Sequence, residues 1–255
     1  MCVTRLYKYL DDNGALMMLY YKTLQFTNAT QMNDPFDCHP SLIDFSNVPK
    51  EKCVCWPADV IESIESDRYR RYREKAWICC LSKVYDSMLM WSYYNKHQGV
   101  CIGLDMEKTR KYLPRMRGQI MIGCIELDVQ YKDVLEKPDY YKSYQDLFKY
   151  QMSTKALDWK HEQEVRLISL DPSLSFMRLL PNQSDKDGPI EWKEVRAFLE
   201  IGGECFDSIY LGININENQR DKIIRVARNC NQDIKIYQMT VDPEAFRLKE
   251  ELLTI

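Results

Sequence analysis

Apolar residues recur along this chain on two periods, and the period decides the element. Short alternating or continuous apolar runs mark extended segments at 2–10, 24–28, 77–82, 100–105, 120–131, 163–170, 191–201, 208–212 and 234–239. Three-to-four-residue spacing marks helices at 12–22, 58–76, 87–96 and 140–158, and a basic helix opens at Glu107. Within 58–76, Ile61, Ile64, Tyr72 and Ala76 fall on one face. Asn33-Asp34-Pro35-Phe36 reads as a turn: Asn and Asp bond to local backbone and Pro35 fixes φ. Phe36 is expected to anchor that turn in the core. Residues 41–56 read as irregular, and a Pro/Asn/Asp/Gly-rich loop around 181–189 reads as a surface insertion.

Near the C-terminus, Asn216 with Gln219 three residues later has capping-box spacing and opens a helix reaching about residue 229. With its flanking runs this makes a strand–helix–strand unit. Strands and helices mix without strict alternation, which points to one α+β domain over 1–255, a mixed sheet with peripheral helices.

Composition narrows the classes. The 255 residues are 45% hydrophobic and 29% charged, the profile of a folded globular chain rather than a disordered one. The net charge of −3 argues against a polybasic nucleic-acid binder. No apolar run approaches the ~20 residues of a membrane span, and residues 1–9 lack the apolar core of a signal peptide. The ten cysteines are scattered, several inside strand-like runs, as reduced thiols in a cytoplasm would be. Cys53-x-Cys55 and the adjacent Cys79 and Cys80 lack zinc-site spacing, so no metal ligands are assigned.

Candidate chemistry concentrates in a few blocks. If 161–168 is a strand, Glu162, Glu164 and Arg166 share one face, ~7 Å apart, and Gln163, Val165 and Leu167 the other. That face is either a solvent-exposed Glu–Arg ladder or a paired-carboxylate site. In the block from Ser87 to His97, helical spacing groups Met90, Tyr94 and His97 beside Trp91, with Gly99 as C-cap. The stripe is either core, or a pocket where Trp91 or Tyr94 stacks on a flat ring and His97 makes a polar contact. Asn33 and Asp34 either build their turn or project polar groups into the same pocket. Basic runs at 68–75 and 108–117 interleave Arg, Lys and Tyr and could meet phosphates, although nearby acids balance the first of them.

Four segments, 6–9, 24–37, 90–105 and 159–168, resemble in order and wording the bacterial family catalogued as domain of unknown function 2971. They carry the Asn33-Asp34-Pro35-Phe36 turn, the Trp91/His97/Gly99 block and Trp159-x-x-Glu162-x-Glu164-x-Arg166. The resemblance implies a bacterial cytoplasmic protein, with a suspected place in phage defence. The Glu-x-Glu pair also resembles, more distantly, the acidic motif of the ADP-ribosyltransferase superfamily. There one carboxylate holds the nicotinamide ribose of NAD and stabilises its developing cation, and the other orients the acceptor. Carried over, Glu164 is the essential carboxylate and Glu162 the secondary one, with Tyr7 and Lys8 at the first-strand polar position; Asn33, Asp34, Trp91, Tyr94, His97 and Arg166 are the further ligand contacts read from their own blocks. Residues 26–30 echo that superfamily's Ser/Thr-rich strand but depart from it at Asn28 and Ala29.

The leading expectation is therefore an enzyme using NAD as substrate, with a small-molecule or nucleotide ligand. A nucleic-acid-directed effector and a non-catalytic interaction module stand as alternatives; no membrane partner is expected, and oligomeric state is not encoded. The four blocks should meet at one concave site, with Glu164 within about 10 Å of the stretch Tyr7 to Tyr9. Glu164→Gln should remove chemistry and spare the fold.

Overall fold

Asp11 opens the first helix by accepting the Gly14 amide at 2.6 Å, and Lys22 closes it in the left-handed region at φ 52°. That helix, α1 (Asp12–Tyr21), buries Ala15, Leu16, Met18 and Leu19 against the sheet. The computed structural model describes residues 4–114, 123–170, 177–180 and 196–254. Among these, the strands are β1 (Arg5–Leu10), β2 (Thr23–Asn28), β3 (Trp77–Ser82), β4 (Val100–Asp105), β5 (Cys124–Asp128), β6 (Gln130–Lys132), β7 (Thr154–Ala156), β8 (Glu164–Ser169), β9 (Met177–Leu180), β10 (Arg196–Glu200), β11 (Phe206–Leu211), β12 (Lys235–Val241) and β13 (Leu248–Leu252). The remaining helices are α2 (Ala58–Lys75), α3 (Met88–Tyr93), α4 (Met106–Thr109), α5 (Leu147–Ser153) and α6 (Glu217–Cys230).

One mixed sheet runs β13-β12-β11-β4-β1-β3-β2-β10-β9, and the branch β3-β8-β5 leaves it at β3. Pairing within this sheet is antiparallel except for β11 with β12, which α6 joins as the expected strand–helix–strand unit; β6 and β7 form a separate parallel pair. The fold is thus α+β, with α1 and α6 packed together over the main core. A second, aromatic cluster on Tyr7, Tyr9, Trp91 and Tyr210 forms apart from it.

The branch has a consequence for the site. β1 meets β3 only at Tyr7 opposite Ser82, and β2 meets it only at Ile78 and Trp77. Residues 79–81 of β3 therefore have no ladder partner in either strand, while β8 pairs along the whole of β3. The sheet parts at this point, and the Lys8 ammonium bridges the parting by donating to the Cys80 carbonyl at 2.8 Å. Backbone polar groups left unpaired by a ladder need such partners.

Several sequence expectations change. The 140–158 helix is only α5; the chain then extends as β7 and coils through a 3-10 turn, Leu157–Glu162. Helix α2 is the longest described, and on it Tyr69 is buried while Ile64 is 56% exposed. The 87–96 helix ends at Tyr93, where Tyr94 turns extended at ψ 90°, so Gly99 is not its C-cap; Lys96 and His97 then take positive φ. The basic helix from Glu107 shrinks to α4. Asn216 does cap α6, bonding the Asn218 amide at 3.0 Å, but Gln219 Oε1 finds no partner to complete the box. The loop at 181–189 and residues 191–195, 1–3 and 115–122 lie outside the described residues.

Candidate functional site

The strand bearing the acidic motif starts later than its pattern suggests. Gln163 takes a left-handed conformation at φ 44°, so Glu162 ends a 3-10 turn and Glu164 begins β8. Every residue of β8 is buried, which overturns the solvent-exposed ladder. Val165 and Leu167 enter the main core, as their alternation requires.

Glu164 and Arg166 are instead the centre of a buried ion network. Arg166, fully buried, grips Glu164 with two bonds, Nε to Oε1 at 2.9 Å and Nη2 to Oε2 at 3.0 Å. Its remaining donors reach Asp37 Oδ1 at 2.5 Å, the Met152 carbonyl at 2.9 Å and Cys38 Sγ at 3.5 Å. All five N–H groups of the guanidinium are thereby used. Lys155, also buried, directs Nζ at Glu162 Oε2 (2.6 Å), Glu164 Oε2 (3.4 Å) and Asp37 Oδ2 (3.8 Å). The same ammonium lies 4.7 Å from the centre of the Trp159 ring.

Two cations thus face three carboxylates, and they do not hold the two glutamates alike. Burial alone would raise Glu164, but the Arg166 and Lys155 charges outweigh it and hold the carboxyl at about 2. Burial also raises Glu162, and Lys155 offsets this only in part, so its carboxyl stays above its ordinary value. For Lys155 burial works downward, yet Glu164, Asp37 and Glu162 overcome it and keep the ammonium protonated.

In front of this network lies a cleft of about 250 Å³ where the sheet parts. Tyr7, Lys8 and Tyr9 of β1 line it, with Thr27, Gln31 and Asn33 from the second block, Tyr94 from the third, and Glu162 and Glu164 from the fourth. All four blocks contribute to one concavity. Tyr7 pairs with Ser82, and Ser82 pairs with Glu164, so Tyr7 and Glu164 stand two strand spacings apart, ~10 Å.

Other sequence candidates lie elsewhere. Arg166 is behind the wall, with no donor left for a ligand. Trp91 is 1% exposed, packs edge-on to Tyr9 and donates its indole N–H to the Tyr85 carbonyl at 2.7 Å; it is core, not a stacking surface. His97 contributes its carbonyl to the Asn214 amide, away from the cleft wall. Asp34 is buried and accepts the Phe36 amide at 2.9 Å, shaping the turn. Phe36 is 52% exposed, and Asp37 and Cys38 occupy the interior position predicted for it. Asn28 holds the start of a 3-10 turn through Thr30 and the Glu74 carbonyl, so from residues 26–30 only Thr27 reaches the cleft.

Sequence reasoning missed Asp37 and Lys155. The first follows the turn motif directly, and an acid beside a buried-type cysteine was a usable signal. The second lay inside an expected helix, where nothing set it apart. Among the described residues no cluster of three or more His, Cys, Asp or Glu suits a metal, and no helix is long and apolar enough to cross a membrane.

Residues 90–167 match the model of a family described as "Protein of unknown function (DUF2971)". The match contains Tyr94, Lys155, Glu162, Glu164 and Arg166, and supports the family resemblance over that span. No curated protein and no solved structure matches the chain.

Proposed function

We propose that the cleft is a reaction site for a ribosyl-type group, NAD being the substrate to test first, with Glu162 as the proton-accepting carboxylate and Glu164 as a positioning residue. The observation carrying this reading is the separation of the two glutamates beside a cleft to which four sequence blocks contribute. Paired carboxylates with divergent proton affinities are how one site supplies both a fixed charge and a base. Glu164 is saturated by Arg166 and Lys155, so it orients the network rather than meeting the substrate. Glu162, raised and at the wall, is the stronger base.

In the proposed reaction the C1′–N bond of NAD breaks and its electron pair leaves on the nicotinamide nitrogen. Water or an acceptor hydroxyl bonds to C1′ and yields its proton to Glu162. A carboxylate beside the oxocarbenium-like transition state also lowers the barrier electrostatically. The test is nicotinamide release from NAD by the purified protein. We expect Glu162→Gln to lower the rate about 10²–10⁴-fold, the usual worth of a positioned base. The wild-type rate should rise with pH through a midpoint above the ordinary carboxylate value. No turnover and no NAD binding in the wild type would remove the reading.

A second reading draws on the burial of Arg166, Asp37 and Glu164: the network is a staple joining the 33–38 turn, α5 and β8. It predicts lost stability, and no lost chemistry, from every substitution in the network.

A further inference from the structure

We propose that Tyr93, His161 and Trp159 form an aromatic lip beside the cleft, where the flat base at the far end of a dinucleotide stacks while the ribosyl end lies in the cleft. The identity of the ligand rests on the preceding reading; the lip rests on its own geometry.

Size is the first consideration. The cleft measures about 250 Å³, below the ~300–1,000 Å³ of sites that enclose a drug-sized ligand. It has room for one nucleoside half of a dinucleotide and not for both. The other half must lie on a surface that adjoins the cleft. The wall made by Thr27, Gln31, Met32 and Asn33 brings no ring to such a surface.

The wall made by Tyr94, Lys155 and Glu162 does. Tyr93 precedes Tyr94, His161 precedes Glu162, and the Trp159 ring lies 4.7 Å from the Lys155 ammonium. The three rings form a row, with centroids 5.6 Å apart from Tyr93 to His161 and 6.2 Å apart from His161 to Trp159. Tyr93 comes from α3, and the other two from the 3-10 turn Leu157–Glu162. The Ser87 hydroxyl, which caps α3, donates to the His161 carbonyl at 3.3 Å and ties the two segments together. The row is therefore assembled before any ligand arrives.

Folding buries Trp91 almost completely but leaves Tyr93, two residues on, 65% exposed. His161 and Trp159 are half-buried. Exposed rings beside a cleft too small for its ligand gain when a second flat ring covers them. Charge does not select the ligand here, since Lys160 and Asp158 both stand exposed on the same turn. The rings select it, because a base stacks through its π face whatever its sequence identity. Leu89, exposed one turn before Tyr93 on α3, carries no ring and serves as the aliphatic comparison.

The test uses the full chain and compares NAD with nicotinamide mononucleotide, which keeps the ribosyl end and lacks the second base. We expect the wild type to favour NAD in kcat/KM for nicotinamide release. Tyr93→Ala should cut that preference at least about fivefold, through KM rather than kcat. Tyr93→Phe, which keeps the ring, and Leu89→Ala should retain it. Both positions are exposed, and circular dichroism checks folding. Nicotinamide mononucleotide turned over as well as NAD would overturn the lip and leave the reaction standing. So would a preference that Tyr93→Ala spares, or that Leu89→Ala erodes equally. If neither compound is turned over, calorimetry of NAD binding decides. Saturable binding weakened at least about fivefold by Tyr93→Ala would uphold the lip and remove only the chemistry assigned to Glu162; binding indifferent to that change, or no binding, would overturn the lip.

Discussion

Glu162 and Glu164 differ by two positions and by almost everything else. Glu164 is held at about 2 by two cations, one of them making a bidentate grip, whereas Glu162 has one cation and a like-charged neighbour. Glu164→Gln leaves Arg166 fully buried with part of its charge uncompensated. Breaking a buried pair from one side typically costs about 3–5 kcal/mol, so we expect a loss of that order in urea denaturation, contrary to the expectation that this change spares the fold. Asp37→Asn should behave alike, since its carboxylate meets the same guanidinium. Glu162→Gln should cost far less, because it removes the charge that burial already disfavours. Equal losses from Glu162→Gln and Glu164→Gln would contradict the separation. The residue types at 162, 164 and 166 were legible in the sequence; their burial was not. Alternation assigns faces, but only the pairing of β8 between β3 and β5 decides that both faces are covered.

Elements marked by continuous apolar runs, such as β3 and β4, end where those runs end. The failures came where helical spacing continued past a real terminus. Tyr150 and Met152 keep the period into 154–158, yet the chain straightens at Thr154 to pair β7 with β6, a contact that local pattern does not encode. The 87–96 helix fails similarly: the chain turns left-handed at Lys96 and His97 so that the His97 carbonyl can take the Asn214 amide at 2.9 Å. Gly212 makes this crossing possible. A Cβ there would stand 2.2 Å from the His97 carbonyl oxygen and 2.8 Å from that of Gly99, both backbone atoms that cannot step aside. Gly212→Ala should therefore cost about 1–3 kcal/mol, the range of forced overpacking. Asp11→Ala, which deletes the cap of α1, should cost about 1 kcal/mol. Both are read from denaturation midpoints, and a neutral Gly212→Ala would mean that the β4 and β11 ends approach less closely than described.

At the scale of the whole molecule, the network should write its signature on stability as a function of pH. A carboxylate whose folded pKa is depressed contributes stability present above its unfolded value and lost as pH falls through the folded one. For Glu164 the window runs from its ordinary 4.5 down to about 2, and the contribution is on the order of 3 kcal/mol. Glu162 acts in the opposite sense. Its folded pKa is raised, so the folded protein holds that proton more tightly than the unfolded chain, and stability declines as pH rises from 4.5 through the folded value. Lys155, raised above its ordinary 10.5, contributes stability present below that value and lost as pH rises through its folded value. These groups together put the network's maximum contribution near pH 4.5, with a steep acid side and a shallow decline toward neutrality. Urea midpoints measured from about pH 3 to about pH 8 should show it. Glu164→Gln should flatten the acid side, and Glu162→Gln should abolish the decline toward neutrality while leaving the acid side in place. If Glu162→Gln instead keeps that decline, the carboxyl of Glu162 titrates like any surface acid. The base proposed for the cleft then has no unusual proton affinity to offer, and the staple reading of the network becomes the better account.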